Sequence, residues 1–428
     1  MDLASIKKIH FIGIGGIGMS ALARHFLAEG VVVSGSDRSR SPLTTSLEEE
    51  GVHFCESQIK ENISSDIDLV VYTEAMAHDH EELVAARTLG IKAVNYFEAL
   101  GMVANDHYLV AIAGSHGKTT TTAMLIDICE DAGLDPSAVV GSLRARTGKN
   151  YRRGKSKYFI VEACEYKRDF LSLEPDMLVI TNIEAEHLDY YKDLDDVVDA
   201  FHMLAAKVPE EGFVVCNTKD AAVARAVSGV SAKVVEYVPY VDPLMPMKLP
   251  GLHNRMNAAA ALAAAAQLGI STENTKATLA TFAGTWRRFE YKGKTKDGAL
   301  VYDDYGHHPT EISVTIQGAR EMYPDKKILL VYQPHTYSRT HALFDDFVEA
   351  LAKADELILL PIYAAREANA SGVTSEKLVE KITSHIPAQS VESIDVAVQT
   401  ALQRADEKTL VLVMGAGDVY KVAEKILS

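Results

Sequence analysis

The stretch 108-YLVAIAGSHGKTTTTAMLIDICEDAG-133 decides how this chain is read. An apolar run leads into a tight turn containing Gly114 and Gly117, then Lys118, four threonines at 119–122, and an amphipathic helical stretch closed by Gly133. Strand, glycine turn, lysine-threonine and helix, in that order, describe a loop that binds phosphate. Successive backbone N–H groups face an anionic phosphate chain, the lysine adds a point charge, and the threonine hydroxyl is placed to ligate Mg2+. The loop is shortened, because Ile112 stands where the full pattern has a glycine. An ordinary strand-turn-helix explains the two glycines. It does not explain a lysine followed by four threonines of middling helix propensity in the first turn of a helix. The expected phosphate-binding residues are therefore Gly114, Ser115, His116, Gly117, Lys118, Thr119 and Thr120.

Outward from this loop, 428 residues are too many for one ordinary core, and two to four domains are expected. A hydrophobic fraction of 47% is that of a globular protein. The sequence holds no apolar run long enough to span a bilayer, and MDLASIKK leads straight into a strand without a signal-peptide pattern. A cytoplasmic protein without membrane insertion is expected. Cys55, Cys129, Cys164 and Cys216 are widely scattered, which suggests free thiols rather than a zinc site or a disulfide framework. A formal charge of −16 argues against a nucleic-acid partner. An anionic substrate must then meet local cations within an unfavourable global field.

Residues 7–37, KKIHFIGIGGIGMSALARHFLAEGVVVSGSD, run strand, glycine turn, helix, strand, acid. Gly13, Gly15 and Gly18 satisfy G-x-G-x-x-G, and Asp37 lies about twenty residues on, where a dinucleotide fold places its ribose-binding acid. Alone, this pattern would indicate a nicotinamide oxidoreductase. The extra Gly16, the following Met19 and Ser20, and the second phosphate loop downstream point instead to a different pyrophosphate ligand, or to a turn that is only structural. Further strands are expected at 68–72 and 91–95, making the residues up to about Asn105 one small α/β domain.

In the central region, 157-KYFIVEACEYKRDF-170 and 176-DMLVITNIEAEHLDYYKDL-194 each carry an apolar run into acids, joined in the second by a histidine. Groups at the C-terminal ends of parallel strands line the ligand crevice, so Glu162, Glu165, Glu184, Glu186 and His187 are expected to converge near the phosphates. Glu165 suits a carboxylate ligand for Mg2+. Residues 228–250, with four prolines, are expected to be irregular, before the alanine-rich helix of 250-PGLHNRMNAAAALAAAAQLG-269 headed by His253, Asn254 and Asn257. From about residue 285 strands and helices alternate again, placing Asp303, Asp304, His307, His308, His335, Arg339 and Arg366 along one edge of a third sheet.

Taken in order, FIGIGGIGMSALA, AGSHGKTTTTAM, TNIEAEHLDYY, PGLHNRMNAAAA, RRF, YDDYGHHPTE, QPHTYSRT and IYAARE resemble the Mur ligase family over nearly the whole chain, and its alanine-adding branch in particular. The resemblance implies an α/β fold of three domains: a Rossmann-like UDP-sugar-binding domain at 1–105, a central P-loop ATPase domain with a mostly parallel sheet at 106–284, and a Rossmann-like C-terminal domain at 285–428. The implied reaction belongs to peptidoglycan precursor synthesis. ATP phosphorylates the lactyl carboxylate of UDP-N-acetylmuramate, and the amine of L-alanine attacks the acyl phosphate.

The family pattern makes Thr119, Glu165 and His187 the metal ligands, for Mg2+ or Mn2+ in its place. Lys118, Glu165, His187, His307 and Arg339 become the catalytic set. His253, Asn254, Asn257, Arg288 and Asp304 join the phosphate loop as ATP-binding residues. Gly13, Gly15, Gly16, Gly18, Met19, Ser20 and Asp37 fall to the UDP-sugar, and Tyr305, His307 and Arg339 to the alanine. A monomer or weak homo-oligomer is expected. Cys164, Tyr166 and Lys167 depart from the acidic version of that segment, Thr336 replaces an arginine found in some members, and TEAM at 73–76 replaces a serine-rich segment. The alternatives are a ligase attaching a recycled cell-wall peptide to the same sugar nucleotide, a nicotinamide oxidoreductase, and a catalytically silent nucleotide-binding scaffold.

Overall fold

The computed structural model describes residues 3–428 apart from Ala75, Leu188, Asp189 and Arg366. Arg366 and one residue of the TEAM segment thus lie outside the described residues. Three sheets follow one another along the chain. Their central strands are continuous apolar runs, as expected of parallel strands covered on both faces. In Tyr108–Ala113, for example, every residue from Leu109 onward is buried.

The first sheet has five parallel strands in the spatial order His53–Cys55, Val32–Ser36, Lys8–Ile12, Leu69–Tyr72, Lys92–Asn95. The chain order reverses on either side of Lys8–Ile12. This is the switch point at which open α/β sheets form their ligand crevice, and the loop beginning at Gly13 leaves the sheet there.

The central sheet has seven strands in the order Lys233–Glu236, Phe213–Cys216, Met177–Ile180, Tyr108–Ala113, Tyr158–Glu162, Ser137–Val139, Tyr151–Arg152. All pairs are parallel except the last, which is antiparallel. Ala113 pairs with Ile180, and Ile112 with Glu162. The phosphate loop, the segment after Glu162 and the segment after Ile180 therefore leave the same end of the sheet side by side. The strand Lys233–Glu236 corrects the expectation of an irregular 228–250 stretch. It is an edge strand whose Val234 stays exposed, so it lacks the apolar run that marks its neighbours.

The third sheet has six strands in the order Glu290–Lys294, Leu300–Asp304, Thr409–Met414, Lys327–Tyr332, Glu356–Leu359, Ala388–Ser390. Only the first pair is antiparallel. Buried clusters lie on both of its faces, one including Ile316 and Phe347, the other Ala397 and Val422, as in a doubly wound sheet.

The chain packs as two compact units, Met1–Met245 with Met256–Thr281, and Pro246–Arg255 with Phe282–Ser428. Within the first unit, the first two sheets share one continuous buried cluster. The four cysteines are free thiols, as their spacing suggested. Among the described residues, no helix is long and apolar enough to cross a membrane.

Candidate active site

The phosphate loop joins Tyr108–Ala113 to the helix Lys118–Asp131. Gly117 caps this helix at φ +83°, a left-handed conformation that lets the chain turn without a side-chain cap. A Cβ at Gly117 would collide with the Asn257 side chain, and one at Gly114 with the Thr181 hydroxyl. The neighbouring strand end holds the loop from one side. His116 N–H donates to Asn182 Oδ1 at 2.9 Å, Thr181 Oγ1 donates to His116 O at 2.6 Å, and Glu184 N–H donates to Ser115 Oγ at 2.8 Å. The first intrahelical bond runs from Thr121 N–H to Gly117 O, so the N–H groups of residues 118–120 head the helix without an intrahelical acceptor. Thr119 and Thr120 are buried at this end.

Lys118 folds back over the loop. Its Nζ donates to the carbonyls of Gly114 and Ser115 and lies 2.9 Å from Glu165 Oε2. Burial opposes charge on both groups, yet each holds the other ionised. The Glu165 charge raises Lys118, while Lys118, followed by His187, pulls Glu165 down to about 2. His187 Nε2 lies 3.4 Å from Glu165 Oε1, and its backbone takes φ +56°, an uncommon conformation for a residue with a Cβ. Glu165, Glu186 and His187 place their ligand atoms within 4.8 Å of one another, near enough to share a cation. Tyr191, itself buried, donates to the Glu165 carbonyl. The Thr119 hydroxyl donates to Glu162 Oε2 at 3.0 Å. Glu162, Glu165, Glu186 and His187 thus converge on the loop as the strand pattern predicts.

In the glycine loop of the first sheet, Gly13 N–H donates to Ser36 O, and Gly15 N–H donates to Asp37 Oδ2 at 2.8 Å. Asp37 therefore supports the loop backbone. A Cβ at Gly18 would come 2.7 Å from the Tyr96 ring, so this glycine permits close packing. Met19 and Ser20 are buried on the helix Ile17–Ala28, behind the loop.

The second unit gathers its own set. Asp304 is buried and accepts from the N–H groups of Phe289 and Gly306, each at 2.7 Å, and burial raises its pKa. Arg288 lies over the Tyr305 ring, 3.9 Å from Glu311. His307 Nδ1 is 3.2 Å from Tyr305 O, and burial lowers its pKa to about 3. Arg339 is 3.4 Å from His335 Nδ1. His253, which burial lowers to about 4, and Asn254, which donates to Pro250 O at 2.7 Å, also lie in this unit, whereas Asn257 belongs to the first. Thr336 takes φ +67° ahead of the helix Tyr337–Ala342.

Sequence reasoning passed over Arg287 in favour of its neighbour. Arg287 is buried, with Nε 3.1 Å from Asp303 and its remaining nitrogens donating to the Gly415 and Gly417 carbonyls. The RRF triplet offers two arginines, and only the fold separates the internal clamp from the half-exposed Arg288.

A shortened phosphate loop faced by an acid and histidine wall, in a chain with three mainly parallel sheets, defines a phosphate-loop α/β protein. Three family models match in succession: Mur ligase family, catalytic domain, over residues 8–108; Mur ligase middle domain, over 112–242; and Mur ligase, glutamate ligase domain, over 287–417. The chain belongs to the Mur ligase family. It is 41% identical over 455 residues to the UDP-N-acetylmuramate–L-alanine ligase of Clostridium kluyveri, covering 100% of this chain and 99% of that one. Among solved structures, it resembles the UDP-N-acetylmuramate-alanine ligase of Thermotoga maritima, with TM-score 0.81, 27% identity and 98% of each chain covered. The murein peptide ligase of Psychrobacter arcticus shares the fold, with TM-score 0.73, 24% identity and 98% of each chain covered.

Proposed function

We propose that this chain joins L-alanine to the lactyl carboxylate of UDP-N-acetylmuramate at the expense of ATP, in peptidoglycan precursor synthesis. The observation that carries the reading is Lys118. Its half-buried Nζ is bound to the loop carbonyls and to the buried Glu165, at the mouth of a helix N-terminus suited to phosphate. Full-length likeness to alanine-adding relatives supports the choice of substrates.

In the proposed reaction a carboxylate oxygen attacks the γ-phosphorus and ADP departs. The alanine amine then attacks the acyl carbon, and the tetrahedral adduct loses phosphate. Lys118 and the first N–H groups of its helix hold the transferring phosphoryl group. Arg288 takes the γ-phosphate, Asp304 the ribose, and His253, Asn254 and Asn257 the adenine. Arg339 pairs with the alanine carboxylate beside Tyr305. His307, with Nδ1–H donating to Tyr305 O, leaves Nε2 as the acceptor for the amine proton. The loop 13–18, with Met19, Ser20 and Asp37, which also holds Gly15 N–H, receives the UDP-sugar.

Glu165, Glu186 and His187 place ligand atoms near enough to one another for a divalent cation, although histidine is an unusual partner for Mg2+, and the Thr119 hydroxyl, bonded to Glu162, is the further ligand proposed. Bound there, Mg2+ would supply charge neutralisation to the phosphates. The functional division proposed is 1–105 for the UDP-sugar, 106–284 for ATP and 285–428 for the amino acid, in a cytoplasmic monomer or weak homo-oligomer.

The test is phosphate release from ATP and Mg2+ in the presence of UDP-N-acetylmuramate and each candidate amine. L-Alanine is expected to give the highest kcat/KM. Release only with a cell-wall peptide would transfer the chain to the recycling reaction, and reduction of NAD or NADP would remove it from ligases altogether.

A further inference from the structure

We propose that Asn150 is a positioning residue. It holds the glycine loop of the first sheet in register with the phosphate loop of the central sheet, so that filling one site favours filling the other. What the two loops bind rests on the functional reading above.

Asn150 is completely buried, and both ends of its amide are used. Oδ1 accepts from Arg24 Nη1 at 2.8 Å, while Nδ2 donates to Ile17 O at 2.5 Å and to Ser20 Oγ at 2.9 Å. These three partners lie on the helix Ile17–Ala28, which begins inside the glycine loop. Arg24 is itself buried and is fixed in turn by Glu50 at 2.7 Å and Ser46 at 3.2 Å.

On its other side, the Asn150 carbonyl accepts from Val140 N–H at 3.0 Å. The next N–H, that of Gly141, donates to Glu162 Oε1 at 2.5 Å. Glu162 Oε2 accepts from the Thr119 hydroxyl at 3.0 Å. A Cβ at position 141 would sit 2.7 Å from Glu162 Oε2 and would push that carboxylate from its present place, so glycine permits the approach seen. A continuous path of hydrogen bonds and single chain steps thus joins the helix behind the sugar loop to the first turn of the phosphate-loop helix.

Apolar side chains would fill a joint between two sheets without the desolvation that a buried amide and guanidinium incur. What the polar set adds is directionality. A shift of the helix by one position would leave a buried donor and a buried acceptor unpaired. In a reaction whose carboxylate must meet a phosphorus held by the other loop, a misplacement of about 1 Å can cost on the order of 100-fold.

The experiment measures binding of UDP-N-acetylmuramate and of a non-hydrolysable ATP analogue, singly and together, for wild type, Asn150→Ala and Arg24→Lys. Hydrogen exchange of residues 17–28 is followed in the ligand-free proteins. In wild type, each ligand is expected to tighten the other by roughly 5-fold or more, within the usual range of coupling between sites. In Asn150→Ala, each ligand alone is expected to bind within about 3-fold of wild type, while the coupling factor falls to about 1 and kcat drops by roughly 10- to 100-fold. Protection of residues 17–28 is expected to fall as well. Arg24→Lys should move both readouts the same way by less, and it serves as the test if Asn150→Ala does not fold.

The proposal is overturned if wild type shows no coupling, if coupling and exchange in the folded variants match wild type, or if both affinities fall while coupling persists. Absence of UDP-N-acetylmuramate binding in wild type would sink the functional reading instead. The exchange measurement would still report whether Asn150 fastens the helix.

Discussion

At the scale of single residues, Lys118 and Glu165 show how a site can be poised and stable at once. The Glu165 carboxyl lies at about 2 against its ordinary 4.5, because Lys118 and His187 outweigh the opposing effect of burial. A depressed folded pKa contributes stability that is present above 4.5 and is lost as pH falls toward 2. Lys118→Ala should therefore lower kcat by roughly 100- to 1,000-fold, as removal of a transition-state clamp does. It should also cost on the order of 3–5 kcal/mol, because a carboxylate is left buried without its partner. Adding Glu165→Gln to that variant should return most of the stability and none of the activity, a combination that thermal melts and phosphate release would separate. His307 gives a second expectation. Burial lowers it to about 3, so it stays neutral across pH 5–8, and the kcat/KM profile for alanine should carry no histidine limb near 6.5. A limb at that pH that disappears in His307→Gln would contradict the buried, neutral state of this imidazole, while loss of activity in the same variant with no such limb is what a neutral acceptor gives.

At the scale of elements, each strand-loop-helix unit was legible wherever a glycine turn followed an apolar run. The turn needs left-handed backbone and the run needs burial, and both requirements are written locally. The acids Glu162 and Glu165 and the histidine His187 were legible for a related reason, since strand ends in a parallel sheet face one crevice. The edge strand Lys233–Glu236 was hidden because a half-exposed edge needs no apolar run, and the four prolines around it suggested a loop. The Arg24–Asn150 joint was invisible for a different reason: its partners lie 126 positions apart, and nothing in the pattern around either residue announces the other.

Arg287 was likewise unreadable, since its partners come from a strand end and a turn farther along the chain. Its side chain ties the end of Leu300–Asp304 to the turn after Thr409–Met414. Asp303 is pushed up to about 7 by burial, against the pull of Arg287, so its contribution to stability is largest at low pH and declines as pH rises from 3.8 through 7. Arg287→Ala should accordingly cost roughly 3–5 kcal/mol. Asp303→Asn should cost less, because burial already favours the neutral carboxyl and the amide oxygen keeps an acceptor for Arg287 Nε. Denaturant melts of the two variants would decide the order, and equal losses would contradict it.

At the scale of the whole molecule, the charge balance and the site pull in opposite directions. The chain carries 59 acidic against 43 basic side chains, a formal charge of −16, while both proposed nucleotides are polyanions. The cations proposed to meet them, Lys118, Arg288 and Arg339, act most strongly at contact distance. At low ionic strength the field of the whole molecule extends roughly 30 Å, and it repels an approaching anion before those contacts form. Raising the salt toward 0.15 M shortens that reach to about 8 Å and touches the largely enclosed Lys118–Glu165 pair much less, since buried and partly buried charges are screened less than exposed ones. kcat/KM for UDP-N-acetylmuramate and for ATP should therefore rise with ionic strength from about 10 to 150 mM, the reverse of what a basic nucleotide-binding surface gives. Alanine provides the internal control, because as a zwitterion it bears no net charge and its kcat/KM should stay nearly flat. The slope of log kcat/KM against the square root of ionic strength, taken for all three substrates at fixed free Mg2+, is the measurement. A negative slope for either nucleotide would mean that a local cationic funnel, rather than the net charge, governs the encounter.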